Sequence, residues 1–202
     1  ELLRREIERD IHDGDWDAAM VLVKELAERF GYRADAEEFR TRIEHARAET
    51  LDRTVTQAIA NLEALIKARR WTDAFAEAGR IARLYPESPR VEGLRDHVER
   101  SRERYKEDLE RRFLQAAERD EIDTAMDLLK ELDIYLTEAE AEQFREVARG
   151  VIGKARDNLG VRFKLAVQDR NWPAAVEFGE RIISDFPNTR MAQEVRGLID
   201  GD

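Results

Sequence analysis

RRWTDAFAEAGRIARLYPESP, residues 69–89, returns a hundred residues later as RNWPAAVEFGERIISDFPNT, residues 170–189. In both stretches a tryptophan is followed by alanine at +3, a bulky apolar residue at +4, an isoleucine at +10, an aromatic at +14 and proline at +15. Two weaker copies complete the set, so four anchors align: Trp16, Trp71, Ile122 and Trp172, spaced by 55, 51 and 50 residues. At +3 stand Ala19, Ala74, Ala125 and Ala175, and at +4 Met20, Phe75, Met126 and Val176. At +10 stand Leu26, Ile81, Leu132 and Ile182, and at +14 Phe30, Tyr85, Leu136 and Phe186. Upstream, position −9 holds Ile7, Leu62, Phe113 and Phe163, and position −5 holds Ile11, Ile66, Ala117 and Val167. Steps of three and four mark one face of a helix, so these positions form one buried stripe per repeat.

Punctuation divides each repeat. A helix stops just before each anchor, at Asp13-Gly14-Asp15, Arg69-Arg70, Asp120-Glu121 and Arg170-Asn171. A short helix of about fourteen residues follows, a common globular length. It ends at Phe30-Gly31, Tyr85-Pro86, Leu136-Thr137 and Phe186-Pro187, three of which carry a glycine or proline stop. Asn171 is placed to cap the last short helix, with Pro173 in its first turn. Thr137-Glu138-Ala139-Glu140 is a capping-box pattern, and Ser88 before Pro89 is expected to cap in the same way.

Long helices are predicted between these stops. The first spans residues 34–70, with Phe39, Ile43, Leu51, Val55, Ile59, Leu62 and Ile66 as its stripe. The second spans 89–119, with Val91, Leu94, Val98, Tyr105, Leu109 and Phe113. The third spans 138–170, with Phe144, Val147, Val151, Leu159, Phe163 and Val167. At 1.5 Å per residue each is roughly 50 Å long. A short helix cannot bury its stripe alone, so each should pack between the tail of one long helix and the head of the next. The expectation is an all-α, elongated α-solenoid of four repeats, 1–47, 48–98, 99–149 and 150–202, in one tandem domain, with long helices shared between three-helix clusters.

The bulk composition agrees. Charged residues make up 40% and apolar residues 42%, against a usual charged share of about a quarter. Long helices with a narrow oily stripe and a wide solvated face have that balance. The net charge of −10 repels phosphate backbones, so no nucleic-acid partner is expected. There is no cysteine, which removes disulfides, thiolate metal sites and thiol nucleophiles. No run of about 18 apolar residues is present to span a membrane. The chain begins at Glu1 rather than methionine, and is expected to be a trimmed piece whose targeting segment lies outside it.

The segments from Arg70-Trp71 to Tyr85-Pro86-Glu87-Ser88 and from Asn171-Trp172 to Pro187-Asn188-Thr189 resemble the second helix of a tetratricopeptide repeat (TPR). Trp71, Ala74, Phe75 and Pro86, and Trp172, Ala175, Val176 and Pro187, carry the signature; Gly14, Trp16, Ala19 and Met20 carry its front half. The Tyr-Pro-x-Ser and Phe-Pro-x-Thr endings resemble TPR modules of bacterial envelope lipoproteins. That family repeats every ~34 residues, and it prefers small residues where this chain has Ile7, Leu62, Phe113 and Phe163, and Leu26, Ile81, Leu132 and Ile182. Larger residues there predict paired helices set further apart. The resemblance covers about half the chain and implies a TPR-like protein-interaction scaffold in the bacterial cytoplasm or cell envelope.

Candidate chemistry is sparse. His12, His45 and His97 recur in no ligand pattern, and His12 with Asp13 or Asp15 falls short of the ligands a tetrahedral metal needs. Gly150-Val151-Ile152-Gly153 lies in a helical pattern and lacks the lysine of a phosphate-binding loop. No catalytic, cofactor-binding or metal residue is assigned, and the chain is read as not an enzyme. The tryptophans recur at one offset, which predicts core or helix-junction packing. Gly150, Gly153 and Gly160 in the third long helix are expected either to mark a hinge or, for Gly160, to permit a close helix contact. The leading function is a non-catalytic scaffold or rod-like spacer for a protein partner. The alternative is self-assembly as a homo-oligomer or filament, with Tyr105 and Leu109 facing a second long helix.

Overall fold

A computed structural model describes residues 1–200. Among them it has nine α-helices and no strand: α1 (Leu2–Asp13), α2 (Trp16–Glu28), α3 (Arg33–Lys67), α4 (Trp71–Leu84), α5 (Leu94–Glu118), α6 (Ile122–Asp133), α7 (Glu138–Gln168), α8 (Trp172–Asp185) and α9 (Arg190–Ile199). The expected all-helical class is met. Contacts divide the chain into two compact units, Glu1–Arg102 and Glu103–Asp202.

The first unit holds two cores. Ile7 of α1, Ala19, Val23 and Leu26 of α2, and Ala36, Phe39 and Ile43 of α3 form one. Val55, Ala58 and Leu62 from the other half of α3 join Ala74, Ala78 and Ile81 of α4 and Val91, Leu94 and Val98 beyond it to form the second. The 35-residue α3 therefore contributes to both. Polar ties run along the same seams. Arg4 pairs with Asp35, Arg90 Nη1 donates to Asp52 Oδ1 at 2.8 Å, and His97 Nε2 lies 2.5 Å from Glu63 Oε1.

The second unit repeats the scheme. Leu109, Phe113 and Ala116 of α5, Ala125, Leu128 and Leu132 of α6, and Phe144 and Val151 of α7 make one core. Ala155 and Leu159 of α7, Ile182 and Phe186 around the end of α8, Ala192 and Val195 of α9, and Ile122 of α6 make the other. The large residues at −9 and +10 fill the centres of these cores. Ile7, Leu62, Phe113, Ile81, Leu132 and Ile182 are all completely buried. A third helix at each core gives that bulk somewhere to go, which a two-helix contact does not.

One backbone device recurs at the end of the helix before every anchor. Gly14, Arg69, Asp120 and Arg170 adopt left-handed conformations with φ of 76°, 60°, 58° and 55°. The following amide then reaches five residues back: Asp15 N–H to Asp10 O, Arg70 to Leu65, Glu121 to Ala116 and Asn171 to Ala166, at 2.8–3.0 Å. This pairing closes a helix on its own carbonyls and lets the next one start two residues later. Asp15 and Asn171 then cap the short helices through Ala18 N–H and Ala174 N–H. The capping box at Thr137 and Glu140 forms as the sequence predicts.

Four expectations are corrected. The second long helix does not start at Pro89. Pro89–Val91 is a 3-10 turn, Ser88 makes no capping bond, and Gly93 at φ 73° delays the helix to Leu94. Phe30 is 52% exposed rather than on the buried stripe. Helix α2 ends at Glu28, and Gly31 in the left-handed region turns Tyr32 N–H back to Leu26 O at 3.1 Å, leaving Phe30 outside the periodic face. Val147 is exposed on α7 while Phe144 and Val151 beside it are buried. Trp172 and Val176 of α8 are 58% and 49% exposed, so the fourth repeat's anchor and its +4 residue lie off the expected buried stripe.

Candidate interaction surfaces

The polar groups that catalysis or metal binding would use are dispersed. His12 is exposed on α1, His45 on α3 sits 3.9 Å from Glu49, and His97 pairs with Glu63. No group of three potential metal-ligating side chains exists among the described residues. No helix among them is long and apolar enough to cross a membrane.

The charge cluster most withdrawn from water lies between α5 and α7. Lys106 is 8% exposed, and its ammonium sits 2.8 Å from Glu103 and 2.5 Å from Glu140. Both hydrogen bonds raise the lysine pKa. Bonding to Lys106, and then to the backbone and hydroxyl of Thr137, holds the Glu140 carboxyl down at about 2. Glu110 nearby is pushed up by burial, with Glu140, Glu103 and Glu107 adding repulsion against the pull of Lys106. Lys106, Glu103 and Glu140 are paired with one another, so this trio reads as a clasp that fixes α7 on α5. Its sequence signal was weak, because Lys106 looks like any other charge on a charged helix.

Tyr105 and Leu109 do not face a partner. Leu109 is completely buried in the core with Phe113, while Tyr105 packs edge-on against Tyr135 with centroids 5.6 Å apart and donates to Glu131. Helix α6 and the first half of α7 take the stripe that lateral helix pairing would use.

An open, shallow surface runs along one face of the first half of α7. Its lining advances in steps of three and one, which is a single helical face: Glu138, Ala141, Glu142, Arg145, Ala148, Arg149, Ile152, Gly153 and Arg156. Small residues alternate with three arginines, and Ile152 is 38% exposed. Arg145 pairs with Glu142 at 2.5 Å and Arg156 with Asp157 at 3.3 Å, both on the surface. Such a stripe carries arginine charge along its middle, with Glu138 and Glu142 beside it, and a flank of Ala141, Ala148 and Ile152 next to the core. The spacing of Ala141, Ala148 and Ile152 was legible beforehand, but the buried stripe one position away drew attention from it.

Two further apolar patches stand out. Leu2, Phe30 and Tyr32 border a groove of about 690 Å³ beside α1 and α2, and Trp172 and Val176 project from α8. No protein-family model matches the chain, and comparison with curated proteins and with solved structures finds no match.

Proposed function

We propose that the chain is a non-catalytic, TPR-like α-solenoid scaffold that binds protein partners through exposed helical faces. The observation that carries this is the α7 stripe, a continuous helical face with Arg145, Arg149 and Arg156 along its middle beside Glu138 and Glu142, and with Ala141, Ala148 and Ile152 along one edge. Ala141, Ala148 and Gly153 let a partner backbone come close, and the guanidiniums fit carboxylates in planar, two-pronged pairs. The surface suits an acidic amphipathic helix laid along α7. Support also comes from the fourfold sequence repeat and from long helices that serve two cores, an arrangement that spreads surface rather than enclosing volume.

The test is fluorescence anisotropy with a labelled amphipathic helical peptide carrying glutamates on its polar face, against the same peptide carrying lysines. The acidic peptide should bind at least tenfold more tightly, and Arg149→Glu combined with Ile152→Asp should abolish the difference. Equal binding of the two peptides, or an unchanged double variant, would overturn the reading.

A further inference from the structure

Two positions of each repeat, −8 and +26 from the anchor, lie on the seam where the helix before the anchor meets the helix after the short one. In the first repeat they are Glu8 and Arg42, 3.6 Å apart, and in the second Glu63 and His97, 2.5 Å apart. The Glu8–Arg42 pair stays at the surface, its side chains 56% and 48% exposed, with α4 and the second core already in place. A following repeat therefore does not cover this seam, and its own two side chains close it. In the third repeat the positions hold Leu114 and Ala148, and in the fourth Lys164 and Leu198. The charge on the helix before the anchor is thus reversed in the fourth repeat, and Leu198 offers it no counterpart. Lys164 makes no ion pair among the described residues, and the nearby carboxylate, Glu194 of α9, is held by Arg190 at 3.1 Å.

The untied seam is open. An apolar groove of about 290 Å³ runs between α7 and α9, with Phe163, Val167, Met191 and Val195 inside it and the exposed Lys164 and Leu198 at its rim. Two glycines shape its walls. Met191 lies against Gly160 and Phe163 against Gly179, where an added Cβ would stand 3.0 Å from the Met191 sulfur and 3.4 Å from Phe163 Cε2. Phe163 is only half-buried, whereas Ile7, Leu62 and Phe113 at the same offset are completely buried. The volume is near the ~300 Å³ lower end of ligand pockets, room for one alkyl chain rather than a ring system or paired chains.

We propose that this groove binds a single-chain carboxylate amphiphile, with the alkyl chain along Phe163, Val167 and Met191 and the carboxylate on the Lys164 ammonium. Methionine gives the wall a flexible, polarizable surface that adapts to a chain. A lysine can lay its stem on apolar surface while its charge stays in water, where a headgroup would sit. The groove uses the second half of α7, so this binding holds or fails independently of the stripe on the first half.

The test is titration of the full chain with sodium hexanoate, octanoate and decanoate, followed by NMR of the Val167, Met191 and Val195 methyl groups. Affinity should rise about three- to fourfold per added methylene until the groove is full, and decylamine should bind about fivefold more weakly than decanoate. Lys164→Glu should weaken decanoate about tenfold and tighten decylamine, reversing the preference. Leu198→Glu sets a carboxylate beside Lys164, the tie of the first two repeats with its polarity reversed, and should abolish decanoate binding without lowering the thermal midpoint. Both positions are exposed, so circular dichroism should not change. The proposal is overturned if decanoate leaves those methyl signals unmoved, if it moves methyl signals in all four repeats alike, if decylamine binds the parent as tightly, or if Lys164→Glu binds decanoate like the parent.

Discussion

Helices α3 and α7 do the same work by different means. Each is the long helix of its unit and each supplies side chains to two cores. Helix α3 contains no glycine, starts at Tyr32 without a side-chain cap, and has Thr41, Thr54 and Thr56 bonding back to carbonyls four residues earlier. Helix α7 starts with a capping box, is clasped by Lys106, and carries three glycines. Gly160 lies against Met191 of α9, whose sulfur would be 3.0 Å from an added Cβ, so its smallness serves close packing. Around Gly150 and Gly153 nothing would meet a Cβ within 4 Å, and neither has positive φ. The comparison separates two sources of helix strength. In α3 the start is held only by the Arg4–Asp35 pair and the strength lies in the buried stripe and uninterrupted side chains, whereas α7 adds a capping box and a lysine clasp near its start.

The largest test is at the stripe. Leu62→Ala removes a completely buried side chain from the second core of α3 and should cost ~3 kcal/mol in urea denaturation. Hydrogen exchange should rise over residues 36–43 as well as 55–62, and an effect confined to the second range would show that α3 does not couple its cores. Next, Gly150→Ala with Gly153→Ala should stabilise the chain by ~1–2 kcal/mol in total, through helix propensity alone, seen as a higher thermal midpoint. A loss of stability would mean that α7 bends there. Smallest is the cap. Thr137→Ala should cost ~1 kcal/mol, and it removes the hydroxyl bond, one of those that hold Glu140 ionised, while the backbone bond stays.

The clasp also sets a pH dependence. The Glu140 pKa falls from 4.5 in the unfolded chain to about 2 in the fold. Its stabilisation is therefore complete above about pH 5 and is lost as pH drops from 4.5 toward 2. Glu110, shifted upward, acts in the opposite sense. The difference between the parent and Glu140→Gln isolates the first effect, and it should shrink in urea midpoints measured from pH 6 down to pH 3.

Much of this was legible from spacing. The offsets −9, +3 and +10 found residues that are nearly all buried, since a helical stripe is a property of order along the chain. Gly93 went unread because the pattern Val91, Leu94, Val98 runs across it without a missed beat. Phe30 and Trp172 were assigned to the interior by analogy with other repeats, but burial also depends on what lies beyond a repeat, which no local period encodes. The left-handed turns at Arg69 and Arg170 were invisible because arginine carries no preference for that conformation, and aspartate at 120 visits it only occasionally.

Those turns have a consequence of their own. The hinge points of the fold are made by peptide groups, so at three of the four the side chain bears a conformational penalty and contributes nothing to the bend itself. Arg170→Gly would keep the turn and relieve ~1 kcal/mol of local strain. A lineage free to drift at its corners can exchange letters there while the architecture persists, and kinship would survive only in the spacing of oily residues between them.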